Sequence, residues 1–112
     1  MKWNDKKQLE LEPNELDLLA WSVANEVVNG FNVGDFQQQI GISENEFVKV
    51  AKRLRATSMG KNVAISTYEA EAFRNALVLT LEELGDDEFS TRTGHKYDVG
   101  KLILQELKSF LG

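Results

Sequence analysis

Residues 36–55 (FQQQIGISENEFVKVAKRLR) and residues 89–108 (FSTRTGHKYDVGKLILQELK) share one layout, and this recurrence constrains the fold more than any other feature of the chain. Phe36 is answered by Phe89, Gly41 by Gly94 and Leu54 by Leu107, each at an offset of 53 residues. Each stretch reads as a short helix, a glycine turn and a longer helix. Ser43 and Glu46 carry the S-x-x-E spacing of a capping box, in which each side chain satisfies a backbone N–H at the helix start. The chain reads as one unit used twice.

Upstream signals agree with this. Residues 7–11 alternate between polar and apolar, the period of a short strand with one buried face. Val63 and Ile65 answer Leu9 and Leu11 at an offset of 54. Pro13 suits the first helical position, where its fixed φ fits and its missing N–H is not needed. Leu11 and Leu16 are spaced as a hydrophobic staple, whereas Glu12 is a poor N-cap. The first helix turns Leu16, Leu19, Ala20, Val23 and Val27 to one face and should stop at Asn29 and Gly30. In the second half Ser66 and Glu69 form another capping box, with Glu69 answering Glu15. That helix carries Ala70, Phe73, Leu77, Leu81 and Leu84 inward and is expected to end at Gly85, leaving residues 86–88 as a connector. Phe47, Val50, Ala51 and Leu54 make the buried stripe of the next helix in the first half; Val99, Ile103, Leu107 and Phe110 make it in the second.

The expected fold is therefore mainly α: a duplicated strand–helix–short helix–helix unit with a small two-stranded antiparallel ribbon near residues 7–11 and 61–65. One domain covers residues 1–112, with pseudo-repeats over about 7–56 and 61–111; a boundary at residues 57–62 is too short to separate independent domains. Residues 1–6, polar apart from Met1 and Trp3, are expected to be loosely held. The sequence leaves open whether the halves pack within one chain or exchange between two in a homodimer.

The 112 residues, 42% of them apolar, suffice for one core, and a formal charge of −5 disfavours phosphate backbones and favours basic partners. No apolar run approaches the roughly 20 residues of a membrane helix, and the N-terminal stretch lacks the apolar region of a secretory signal. The absence of Cys removes disulfides and thiolate zinc sites and fits a reducing compartment; cytoplasm is the expected location.

Specific residues bear on several chemistries. His95, the only histidine, lies in the turn at residues 91–96 (TRTGHK). Helix N-terminal amides with Arg92 and Lys96 nearby are an anion-site pattern, but the matching turn of the first half (QIGIS) has no such chemistry and points to scaffold. No nucleophile–base signature accompanies His95, so no catalytic residues are expected. Glu82, Glu83, Asp86, Asp87 and Glu88 are dense, but they lack the spacing of a calcium loop, and one His without Cys leaves zinc short of ligands. No metal or cofactor is expected. Residues 36–55 also have the outline of a helix–turn–helix DNA reader, with Lys49, Lys52, Arg53 and Arg55 as a basic face. Against that, Glu44 and Glu46 would meet the DNA first, and the domain lacks a basic excess. The same five carboxylates between 82 and 88 are the candidate partner-binding residues, since charges of one sign speed association with an opposite partner. Trp3, Trp21, Tyr68 and Tyr97 are candidate anchors, Trp21 being placed at the core edge.

In general character the chain is similar to small bacterial immunity proteins, which are often short, acidic, cysteine-poor and helical, and many of which block basic nuclease domains. It also looks like a type of small bacterial protein with a Leu-x-Pro-x-Glu-Leu helix start, here residues 11–16 (LEPNEL), and a Phe-x-Thr-Arg-x-Gly turn, here residues 89–94 (FSTRTG). The resemblance to immunity proteins implies a non-catalytic inhibitor whose partner is a basic toxin domain; the alternative, a DNA-binding regulator, rests on the helix–turn–helix outline of residues 36–55.

Overall fold

Two short strands from opposite halves of the chain meet at one side of a helical body. The computed structural model describes residues 1–112. In order these form β1 (Lys2–Trp3), β2 (Leu9–Leu11), α1 (residues 13–30), α2 (Phe36–Ile40), α3 (Glu44–Ser58), β3 (Val63–Ile65), α4 (Thr67–Thr93) and α5 (Tyr97–Leu111). The strands make one antiparallel sheet in the order β1-β2-β3. The mainly α fold and the ribbon are as the sequence predicts; the third strand is not. Residues 1–6 are held rather than loose: Lys2 pairs with Glu10 and Trp3 with Leu9. The Asn4 side chain closes the hairpin by accepting from the Lys6 and Gln8 amides at 2.9 Å each.

The halves pack on each other within one chain, with the exchange symmetry of a two-fold axis. In the ribbon Leu9 pairs with Ile65 and Leu11 with Val63, so each leucine meets the counterpart of the other. Helix ends repeat the pattern. Asn75 of α4 donates to the Ile40 carbonyl that ends α2, at 2.8 Å, and Ser22 of α1 donates to the Thr93 carbonyl that ends α4, at 3.1 Å. Ser22 and Ile40 stand 53 residues before Asn75 and Thr93. Each half thus satisfies a helix-terminal carbonyl of the other, and such carbonyls have no partner inside their own helix. Gly41 and Gly94, the matched turns, are both left-handed, with φ of 105° and 74°.

At a third matched position the two halves differ. Arg53 of α3 grips Glu69 of α4 through two contacts of 2.9 Å. The corresponding pair is Glu106 and Glu15, two carboxylates. The amino group of Met1 lies between them, 3.0 Å from Glu15 and 3.7 Å from Glu106, with Glu12 at 3.6 Å. An ammonium there plays the part of the guanidinium, which accounts for the burial of Glu15. The start of α1 is also better capped than Glu12 alone implies, because the Glu12 amide donates to Glu15 Oε1 at 2.8 Å, as the Ser66 amide does to Glu69 at 2.9 Å. At α3 only half the expected capping box forms: Ser43 accepts from the Glu46 amide at 3.2 Å, with no return bond from Glu46.

The expected inward residues of α1 and α3 are all buried, and in α4 and α5 the exceptions are Leu84, Val99 and Phe110, which are half-buried. Phe47 joins the halves, its ring 5.6 Å from Phe36 and 5.1 Å from Phe73. Two helices depart from expectation. After an α-helical turn at Pro13–Leu16, α1 is π-wound over Asp17–Val23 and Glu26–Gly30, and its buried face widens to take in Leu18, Ala24 and Glu26. And α4 breaks at Gly85 as the sequence predicts, with φ 70° and ψ −175°, but a second helical segment follows at once to Thr93 where a connector was expected.

Candidate functional site

The kink at Gly85 decides how the acidic residues are presented. Residues 86–88 are no connector; they open the second segment of α4. There Asp86, Asp87 and Glu88 lie at the positive end of a helix dipole, where carboxylates are favoured by about 0.3–1 kcal/mol each. Glu82 and Glu83 lie in the last turn before the kink, where the dipole opposes them. All five are exposed. None has a basic group within 4.0 Å, whereas Glu10, Glu12, Glu15, Asp17, Glu26, Glu69 and Glu106 each do. The five form a ridge of free negative charge on a buried scaffold, since Leu81 and Phe89 anchor its two ends in the core. No three acidic or histidine side chains of the chain come together as metal ligands would.

The turn at 91–96 is held by internal bonds. The Thr93 hydroxyl donates to the Phe89 carbonyl at 2.6 Å and accepts from the His95 amide at 3.1 Å. His95 Nε2 lies 2.8 Å from Asp17 Oδ2 at the start of the π-wound part of α1. These bonds tie the turn to α1.

A helix–turn–helix outline is present in α2, Gly41 and α3, but its basic face is mostly engaged. Arg53 is bound to Glu69, and the Arg55 guanidinium sits 5.1 Å over the Trp21 ring while its Nε donates to the Ala20 carbonyl at 2.7 Å. Only Lys49 and Lys52 remain exposed and unpaired, behind Glu44 and Glu46 at the helix start. Two lysines supply little counterion release.

The sequence missed a second feature. Between α1, α3 and the end of α4 lies a shallow, solvent-open cleft of about 370 Å³ lined by Trp21, Ser22, Asn25, Glu26, Arg55 and Arg92. Trp21 is 51% exposed rather than tucked at the core edge. Glu26 is 4% exposed, and its Oε1 is 2.9 Å from Arg92 Nη2. That contact is a charge pairing without hydrogen-bond alignment, so Oε1 is buried with no donor aimed at it. A separate depression of about 440 Å³ is lined by α5 alone, around Leu102, Leu104 and Lys101, and has no opposing wall. No helix is long and apolar enough to cross a membrane. Comparison with protein-family models, curated proteins and solved structures finds no match.

Proposed function

We propose that this chain is a non-catalytic protein-binding module: a cytoplasmic bacterial inhibitor of the immunity-protein type that neutralises a basic, nuclease-type toxin domain. The observation that carries the reading is the density of exposed carboxylates without internal cations over seven residues, at Glu82, Glu83, Asp86, Asp87 and Glu88, where the unpaired carboxylates elsewhere in the chain are scattered. Unpaired charge of one sign on a rigid support steers an oppositely charged protein into place and raises its association rate. The kink places Asp86, Asp87 and Glu88 at a helix start, so ordering them needs no partner.

The test begins with the neighbouring coding region. A basic C-terminal toxin domain encoded there is expressed alone and with this chain, and its nuclease activity is titrated. The expected result is stoichiometric inhibition, with affinity falling as salt rises. Full nuclease activity with excess chain, and no complex at low salt, would remove the reading.

A further inference from the structure

The geometry points to a ligand site in the cleft of Trp21, Glu26, Arg55 and Arg92: a planar ring carrying a phosphate, the size of a mononucleotide, with its ring against Trp21 and its phosphate between the two guanidiniums. This goes beyond the ridge and does not depend on it. In a chain of charge −5 the cleft gathers two guanidiniums against one carboxylate.

Both guanidiniums are held in place by backbone. Arg55 donates through Nε to the Ala20 carbonyl, and Arg92 through Nη2 to the Gly30 carbonyl at 3.3 Å. Fixing Arg55 by its Nε leaves its terminal nitrogens without a protein partner, a fork suited to two oxygens of one oxyanion. The ring is argued from Trp21. One face of the half-exposed indole lies under the Arg55 guanidinium, and a planar ring would stack on the face left open. Glu26 is buried behind this wall, and its Oε1, 2.9 Å from Arg92 Nη2, helps to hold that guanidinium in place. The cleft volume of about 370 Å³ is within the range of small-molecule sites. The π-wound backbone of α1 sets Trp21, Ser22 and Glu26 along this wall, and π-helical turns concentrate at functional sites.

The test uses the full chain with Trp3→Phe, which leaves Trp21 as the sole tryptophan. Its fluorescence is titrated with adenosine monophosphate, inorganic phosphate and adenosine in separate arms. The expected result is saturable quenching by the nucleotide, with a dissociation constant on the order of 0.1 mM or below, and binding at least about tenfold weaker for phosphate or adenosine alone. Arg55→Gln should weaken nucleotide binding about tenfold, and Arg55→Lys, which keeps the charge without the fork, should fall between. Arg92→Gln is made together with Glu26→Gln so that no buried carboxylate is stranded; it should also lose binding with circular dichroism unchanged. No saturation at millimolar nucleotide overturns the proposal. So does equal binding of phosphate or adenosine alone, or affinity unmoved in folded Arg55→Gln.

Discussion

Gly100 lies inside α5, buried, at the position that matches Phe47 of α3. In the first half Phe36 and Phe47 meet edge-on; in the second, Phe89 fills the space of the missing side chain and packs edge-on against Tyr97 at 5.8 Å. A Cβ at residue 100 would stand 2.7 Å from Phe89 Cζ, 3.0 Å from Cε1 and 3.1 Å from Leu81 Cδ2. Carbon atoms in contact sit at about 3.5–4.0 Å, so the ring would have to retreat by most of an ångström. Phe89 is fully buried, with no room to do so. Gly100→Ala therefore sets a helix-propensity gain of about 1 kcal/mol against overpacking of about 1–3 kcal/mol. The expected net loss is about 1 kcal/mol, near 4 °C in Tm for a domain of this size. Urea unfolding followed by circular dichroism measures it. Repeating the substitution in a Phe89→Leu background should reverse its sign, since the ring is gone and the propensity gain remains. Stabilisation by Gly100→Ala in the parent chain would refute the reasoning.

Other perturbations probe the remaining elements. Burial alone would raise the Glu69 carboxyl pKa, but the Arg53 guanidinium and the Ser66 amide outweigh it and hold the folded value below its ordinary 4.5. The stability it contributes is thus present above about pH 4.5 and lost as pH falls through the folded value. Glu69→Gln should lower stability at neutral pH and flatten its decline below that point, as measured by unfolding midpoints across pH. Gly85→Ala places a side chain in a region of φ and ψ nearly reserved for glycine, so a loss of about 1–3 kcal/mol is expected; denaturant melts check it. Trp21→Ala removes an exposed ring and its stacked guanidinium, which should cost no more than about 1 kcal/mol in the same melts.

Local chemistry made much of this fold legible. The Ser66 capping box, Pro13, the glycine turns at 41 and 94 and the strand alternation each state a backbone requirement within a few residues. What escaped the sequence was non-local or carried no residue signature. A two-residue strand such as β1 is too short to show a period, and π-winding is a change of hydrogen-bond register that no residue type encodes. The break at Gly85 is the usual glycine terminus after an apolar stripe; the new helical segment directly after it was not expected, although three acidic residues there are good first-turn residues. The ridge was visible because charge density is local. The cleft was not, since Glu26 and Arg92, or Trp21 and Arg55, meet only through tertiary packing. The off-stripe tryptophan was the one hint.

Stopped-flow association with the basic toxin domain tests the central claim most directly, comparing the parent chain with Glu83→Lys, Asp86→Lys and Asp87→Lys combined. The ridge account predicts an association rate at least about tenfold slower at low salt, with most of its dependence on ionic strength gone and dissociation little changed. An unchanged rate and an unchanged salt slope, in a variant that folds normally, would contradict it.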